Sequence, residues 1–142
     1  MDPAPDDRPA PPDELHALVV DDTASIRMLI RTNLELDGFR VSEAHDGQAC
    51  LDVVHDVRPD VITIDVMMPR LDGFATVSAL RADPGVSAIP IVMVSTQAQA
   101  ADVARGFAAG VDAYVVKPFD PDELVATVRR VATSGPTDTL DG

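Results

Sequence analysis

Polar and charged side chains follow four apolar segments of this chain, at the point where each segment ends. These residues are Asp21 and Asp22 after Val20, Asp65 after Ile64, Ser95 and Thr96 after Val94, and Lys117 after Val116. If the segments are parallel strands, their carboxyl ends share one edge of a sheet, and these side chains meet there. The crevice at that edge is the default ligand site of such a sheet.

The three aspartates of this set carry like charges, and charges held close together repel one another. Lys117 can offset part of that repulsion, and it is the only lysine among the 11 basic residues. A hard divalent cation is the natural second partner, and a few oxygen ligands favour Mg²⁺. Any one of these aspartates could instead cap a helix or solvate a loop. The sequence therefore predicts a Mg²⁺ site only if the sheet brings all three together.

The elements that must position these residues alternate between strands and helices. Apolar runs that are continuous indicate strands buried on both faces, as in a parallel sheet. Five strand–helix units predict an α/β fold with a doubly wound five-stranded parallel sheet, strand order 2-1-3-4-5, and helices on both faces. The predicted strands are 15–20, 39–42, 61–64, 89–94 and 112–116, and the predicted helices are 23–36, 47–57, 72–81, 98–109 and 121–132.

Length and composition bound the organisation of the chain. The 142 residues suit one domain, predicted over 14–132, between an acidic, proline-rich disordered tail (1–13) and a flexible tail (133–142). A net charge of −13 argues against nucleic acid and anionic membranes as partners. There is no apolar run of membrane-spanning length and no secretory signal pattern, so we expect a cytoplasmic protein.

The set Asp21-Asp22, Asp65, Ser95 and Lys117-Pro118-Phe119 resembles the receiver domain of bacterial two-component response regulators. The run from Asp65 to Gly73 is similar to the loop after that family's phosphorylated aspartate, and Val115–Phe119 is similar to its last motif. The resemblance covers about residues 14–132. With no effector domain in the sequence, the chain is similar to the stand-alone chemotaxis type.

The resemblance implies a role for each matching residue. Asp65 would be the nucleophile that becomes an acyl phosphate, and Ser95 and Lys117 would contact the phosphoryl oxygens. Mg²⁺ would be bound by Asp22, Asp65 and the backbone carbonyl of Met67, with Asp21 acting mainly through water. Ser95 and Tyr114 would form the switch, and the Lys117–Pro118 bond is expected to be cis. Met67 and Gln97 would flank the path of the water that removes the phosphoryl group.

The function implied is signalling rather than metabolic catalysis. A histidine kinase or histidine phosphotransfer protein would supply the phosphoryl group, and the phosphorylated form would bind an unknown protein target. The chain would not be an enzyme beyond catalysing its own phosphotransfer and slow dephosphorylation. The alternative within the family is a phosphorelay intermediate or phosphate sink.

Two other classes share parts of this pattern. A flavodoxin-like cofactor binder has the same fold class, but the acids in the segment 21–25 would repel a flavin phosphate. A haloacid-dehalogenase-type phosphatase also uses an aspartate at a strand end. It needs a second aspartate two residues later, where this chain has Met67.

Overall fold

The computed structural model describes residues 14–134, and the two predicted tails lie largely or wholly outside the described residues. Strands and helices alternate through this region, as the apolar pattern predicts. In chain order they are β1 (His16–Val20), α1 (Ala24–Leu36), β2 (Arg40–Ala44), α2 (Gly47–Val57), β3 (Val61–Ile64), α3 (Gly73–Ala82), β4 (Ile91–Ser95), α4 (Ala100–Ala109), β5 (Ala113–Val116) and α5 (Pro121–Ser134).

The five strands form one parallel sheet in the order β2-β1-β3-β4-β5, which confirms the predicted topology. The central strand β3 and its neighbour β4 are buried along their whole length. Because β1 and β3 are adjacent while their connections leave in opposite directions, a crevice opens between their carboxyl ends. The residues that follow β1 and β3 therefore face each other.

Apolar layers cover both faces of the sheet. One layer joins the sheet to α1 and α5 through Ile30, Leu34 and Leu124, and the other joins it to α2, α3 and α4 through Val54 and Phe74. Each fully buried side chain of this size contributes roughly 1.5–3 kcal/mol to stability. The two layers fix the carboxyl ends of the strands relative to one another, which the functional site requires. Among the described residues, no helix has both the length and the apolar character needed to cross a membrane.

The helix ends follow the local sequence. Asp46 and Asp72 precede α2 and α3, and their carboxylates accept hydrogen bonds from the backbone N–H groups of Ala49 (2.7 Å) and Ala75 (2.8 Å). Such caps satisfy amide groups that have no partner within the helix. The residue type of Thr23 predicts an N-cap for α1. Thr23 occupies that position, but its side chain makes no capping hydrogen bond.

Some predicted details are wrong. The apolar spacing of α1 predicts Leu29 on its inward face. Leu29 is instead 42% exposed, because it lies at the margin of the apolar stripe formed by Ile30 and Leu34. Strand β2 runs to Ala44 rather than Ser42, and α5 runs to Ser134 rather than Ala132.

Candidate functional site

Three carboxylates meet in the crevice between β1 and β3. Asp21 and Asp22 follow β1, Asp65 follows β3, and one oxygen from each lies within 4.8 Å of the others. Asp21 and Asp65 are buried, whereas Asp22 is exposed. The backbone N–H of Asp65 donates to the carbonyl of Val20 (3.1 Å), which ties the two strand ends together. The sheet therefore creates the cluster that the sequence predicts.

Lys117 provides the positive charge inside this cluster. Its Nζ lies 2.9 Å from Asp21 Oδ2 and 3.5 Å from Asp65 Oδ2. The peptide bond between Lys117 and Pro118 is cis, as expected, and the backbone N–H of Lys117 donates to the carbonyl of Ser95 (2.8 Å). One ammonium thus contacts two of the three carboxylates, which leaves negative charge uncompensated in a largely buried site.

The electrostatics of Asp65 reflect this imbalance. Burial raises the pKa of Asp65 above its ordinary value; the positive charge of Lys117 opposes the rise, and repulsion by Asp21 adds to it. A buried carboxylate with an acidic neighbour is stabilised in its ionised form by a further cation. The donor set consists of oxygen atoms only, which fits Mg²⁺. Asp21, Asp22 and Asp65 are the residues that could hold it, and the chain offers the Met67 carbonyl two residues after Asp65.

Asp21 is held from several sides. Its Oδ1 accepts from the backbone N–H of Thr23 (2.9 Å), and its backbone carbonyl accepts from Arg27 Nη1 (2.8 Å). The Nε of Arg27 also pairs with Glu43 (2.8 Å), which anchors α1 to β2. Asp21 is therefore oriented by its surroundings, whereas Asp22 remains open to solvent and to a ligand. The contribution of Arg27 carried no signal in the sequence, because it depends on how α1 packs on β2.

Ser95 and Tyr114 both contact the backbone of Gln97. Ser95 is fully buried at the end of β4, and its hydroxyl accepts from the N–H of Gln97 (3.0 Å). The Tyr114 hydroxyl donates to the carbonyl of Gln97 (2.6 Å). Burial raises the pKa of Tyr114, so its phenol stays protonated and able to donate at neutral pH. The two predicted switch residues are thus linked through one loop residue.

A cleft of about 630 Å³ opens beside the carboxylates. One wall is polar, with Asp22, Asp65 and Lys117. The other wall is apolar and comes from α1 and the loops after β3 and β5; it consists of Ile26, Leu29, Met67, Pro118 and Phe119. Met67 is 61% exposed, and its sulfur accepts a hydrogen bond from Gln97 Nε2 (3.1 Å). This apolar wall could not be predicted from the sequence, since the apolar spacing of α1 places Leu29 on the face turned to the core.

Glycine permits the close approach on which the site depends. A Cβ added at Gly73, the first residue of α3, would lie 2.2 Å from the backbone oxygen of Asp65. The N–H of Gly73 donates to the carbonyl of Val66 (2.9 Å). The loop after Asp65 therefore folds back tightly on the strand it leaves, as the Asp65–Gly73 motif requires.

Comparisons with known proteins point to one family. The family model described as "Response regulator receiver domain" matches residues 17–129. The chain is 42% identical over 112 residues to the DNA-binding response regulator MtrA of Mycolicibacterium paratuberculosis, which covers 79% of this chain and 48% of MtrA. This chain spans about half the length of the curated relatives it matches.

Solved structures give the same result. The chemotaxis protein CheY4 of Vibrio cholerae aligns with a TM-score of 0.79 and 36% identity, over 83% of this chain and 98% of that one. The receiver domain of the Francisella response regulator 1452 aligns with a TM-score of 0.78 and 33% identity, over 83% of this chain and 96% of that one.

The expectation that nucleic acid is not a partner finds no support in these comparisons. MtrA is described as DNA-binding, although the matched segment is only 48% of it. The acidic composition argues against nucleic-acid binding by these 142 residues only, and it says nothing about the rest of a longer relative.

Proposed function

Because this chain belongs to the response regulator receiver family, we propose that it accepts a phosphoryl group on Asp65 from a phosphohistidine of a kinase or phosphotransfer protein. The observation that carries the proposal is the cluster of Asp21, Asp22 and Asp65 around Lys117 at the carboxyl edge of the sheet. Asp65 alone among the three follows the central strand and also lines the open cleft.

In the proposed transfer, an Asp65 carboxylate oxygen forms a new bond to phosphorus as the phosphorus–nitrogen bond of the donor breaks. The electron pair of that bond leaves with the imidazole nitrogen, which takes a proton. The transition state spreads negative charge over three phosphoryl oxygens. Lys117, which already lies 3.5 Å from Asp65, is placed to stabilise that charge, and the Ser95 hydroxyl can donate to a second oxygen.

Mg²⁺ is part of this proposal. When bound, it would supply positive charge to the phosphoryl oxygens as the transfer proceeds. Asp22, Asp65 and the Met67 carbonyl would bind it, and Asp21 would act through water. Asp22 is the most solvent-exposed of these carboxylates, whereas Asp21 already forms an ion pair with Lys117. We therefore assign Asp22 the largest share of metal affinity beyond Asp65.

The test is chemical labelling with acetyl phosphate and Mg²⁺. The wild-type chain should gain one phosphoryl group that hydroxylamine removes, as expected for an acyl phosphate. Asp65→Asn should abolish the labelling. Asp60→Asn is the matched control, because Asp60 precedes the same strand at its other end and caps the N–H of His16 (2.8 Å). Equal labelling of Asp65→Asn and wild type would exclude Asp65 as the acceptor.

We propose that the phosphorylated form signals by binding a protein target in the cytoplasm, where the ATP that feeds histidine kinases is found. A phosphoryl group would draw the Ser95 hydroxyl away from the Gln97 N–H, and Tyr114 would follow because it holds the Gln97 carbonyl. Since Gln97 precedes α4 and Tyr114 lies in β5, the surface of α4, β5 and α5 should change first.

Backbone NMR with beryllofluoride, a phosphoryl mimic, tests this switch. Shift changes should concentrate in Ala100–Ala109 and Ala113–Val116 and be smaller in Tyr114→Phe. Changes confined to Gly47–Val57 would contradict the proposed output surface. A phosphorelay intermediate or phosphate sink needs no such switch, so a chain that is labelled without any shift in these elements would favour that function instead.

A further inference from the structure

A buried acid outside the carboxylate cluster contacts the loop that follows Asp65. Asp46, the residue before α2, is 1% exposed. One of its carboxylate oxygens accepts from the N–H of Ala49, and the other pairs with the guanidinium of Arg70. Arg70 belongs to the segment Val66–Asp72, which we call the β3–α3 loop. The ion pair therefore joins the β2–α2 connection to this loop.

Arg70 adopts a backbone conformation that side chains disfavour. Its φ is +69°, in the left-handed region where residues other than glycine are uncommon. Among residues 14–134, only Arg58 and Arg70 are non-glycine residues with positive φ. Arg58 ends α2 at φ +47°, where its N–H donates to the Val54 carbonyl. An arginine in such a conformation needs a compensating contact, and the contact of Arg70 is Asp46.

The start of α2 also presses directly on the β3–α3 loop. A Cβ added at Gly47 would lie 2.6 Å from the backbone oxygen of Leu71 and 2.1 Å from Thr76 Oγ1. Only the absence of a side chain at Gly47 lets the two segments approach this closely. The sequence pair Asp46-Gly47 thus fixes the loop twice, once by charge at Arg70 and once by contact at Leu71.

The β3–α3 loop is the segment that carries Met67. Its two ends are already tied, because Asp65 is bound to Val20 through its N–H and Gly73 is bound to Val66. The middle of the loop is where the polypeptide could move, and Arg70 lies there. Neither Asp46 nor Arg70 lines the cleft beside Asp65.

We infer that Asp46 and Arg70 are positioning residues for metal binding: they hold the β3–α3 loop in the shape that offers the Met67 carbonyl to Mg²⁺. This inference rests on the proposed function. Contacts that orient a ligand without touching the metal typically change metal affinity by 10–100-fold. The effect should appear as weaker Mg²⁺ binding and not as loss of the nucleophile.

The test compares Arg70→Gly with Arg58→Gly. Both substitutions relieve a left-handed backbone, but Arg70→Gly also leaves the buried Asp46 carboxylate without its guanidinium partner. Thermal denaturation should therefore show a folded Arg70→Gly protein that is less stable than Arg58→Gly. Mg²⁺ affinity, measured by isothermal titration calorimetry without phosphodonor, should fall about tenfold in Arg70→Gly. It should stay unchanged in Arg58→Gly, which lies at the far end of α2. Labelling by acetyl phosphate at saturating Mg²⁺ should reach the wild-type rate in both variants.

Two further variants separate the ion pair from general loop effects. Asp46→Asn keeps an acceptor for the Ala49 N–H but loses the charge, and it should weaken Mg²⁺ binding about as much as Arg70→Gly. Combining the two should cost no more than either alone, because they remove the same interaction. Arg70→Lys keeps the charge and should recover part of the affinity.

The outcomes are distinct. If the wild type binds Mg²⁺ and is labelled on Asp65 while Arg70→Gly binds Mg²⁺ equally well, this inference alone is wrong. An equal loss in Arg58→Gly would also overturn it. If the wild type itself neither binds Mg²⁺ nor is labelled, the proposed function fails, and the inference fails with it.

Discussion

Two clusters of charged residues lie at opposite ends of the same sheet, and they differ in how their charges balance. At the amino end, Arg81 pairs with Asp112 (3.0 Å) and donates to the backbone carbonyls of Gly110 (2.9 Å), Ser87 (2.8 Å) and Ile89 (2.6 Å). Asp112 in turn accepts from the N–H of Ile91 (2.9 Å). At the carboxyl end, three carboxylates lie together, and the ammonium of Lys117 contacts two of them, Asp21 and Asp65.

Both clusters are similarly shielded, since the side chains of Asp112 and Lys117 are each 12% exposed. Burial and ion pairing therefore do not distinguish a functional cluster from a structural one. The difference is that Arg81 and Asp112 satisfy each other and nearby backbone groups, whereas the carboxyl end keeps an excess of negative charge that a bound cation can neutralise. A cluster that folding leaves unbalanced is the better candidate for function.

The largest expected effect comes from removing the open carboxylate of the unbalanced cluster. Asp22→Ala should lower Mg²⁺-dependent labelling by more than about 100-fold, because a direct metal ligand matters at least as much as a supporting contact. Stability should be unchanged or higher, since one of three repelling charges is gone. Labelling rates over a Mg²⁺ titration, together with thermal denaturation, measure both. Normal labelling of Asp22→Ala at the same Mg²⁺ concentration would place the metal elsewhere.

The balanced cluster should respond in the opposite way. Asp112→Ala should leave labelling of the folded protein intact but lower the free energy of unfolding by about 2–3 kcal/mol. The substitution leaves the guanidinium of Arg81 without its charged partner and the N–H of Ile91 without its acceptor, and both groups are partly buried. Urea denaturation measures this loss.

Asp112→Asn is the control for that loss, because it keeps an acceptor for Ile91 and should cost less. A stable Asp112→Ala protein would show that the three backbone carbonyls suffice for Arg81.

The charge of Asp65 in the unbalanced cluster should make the stability of the protein depend on pH. In the folded chain the pKa of Asp65 is raised, chiefly by burial, so ionising Asp65 destabilises the fold above that pKa. Asp65→Asn should therefore raise the melting temperature by a few degrees at pH 7 without Mg²⁺. As the pH falls through the folded pKa toward the ordinary aspartate value of about 4, the wild type becomes neutral there and the advantage should vanish. A gain that persists at low pH would mean that charge is not its cause.

Much of this organisation could be predicted from sequence, because continuous apolar runs identify the buried strands and the residues after them are adjacent in the chain. Asp21, Asp65 and Lys117 are found this way. The end of the edge strand β2 is harder to predict. This strand pairs only with β1 and includes the charged residue Glu43, so a prediction from apolar residues ends it too early, at Ser42.

The contact between Asp46 and Arg70 could not be predicted, because it depends on the shape of two loops. No spacing rule connects Asp46 to a residue 24 positions later in the chain. The same holds for Leu29, whose position at the cleft follows from the rotation of α1 on the sheet rather than from its apolar side chain.

The smallest expected effect concerns the exposed edge of the unbalanced cluster. Met67 and Gln97 were expected to flank the path of the hydrolytic water, and they are in contact through Gln97 Nε2 and the Met67 sulfur (3.1 Å). The Met67 thioether is only a weak hydrogen-bond acceptor for a water molecule. The Gln97 amide, which could bind that water, is already hydrogen-bonded to the Met67 sulfur. We expect a phosphorylated form that lives longer than in fast chemotaxis-type receivers. Met67→Asn should shorten its lifetime by about two- to fivefold, equivalent to roughly 0.5–1 kcal/mol of barrier.

Phosphoryl loss should be timed after removal of acetyl phosphate for wild type, Met67→Asn and Met28→Asn. Met28 is the matched control, because it is also an exposed methionine (67%) but lies on α1 and does not line the cleft. A lifetime that is unchanged or longer in Met67→Asn would show that Met67 does not shield the site. If Met28→Asn shortened the lifetime equally, the effect would come from a general change in the protein and not from the Met67–Gln97 contact.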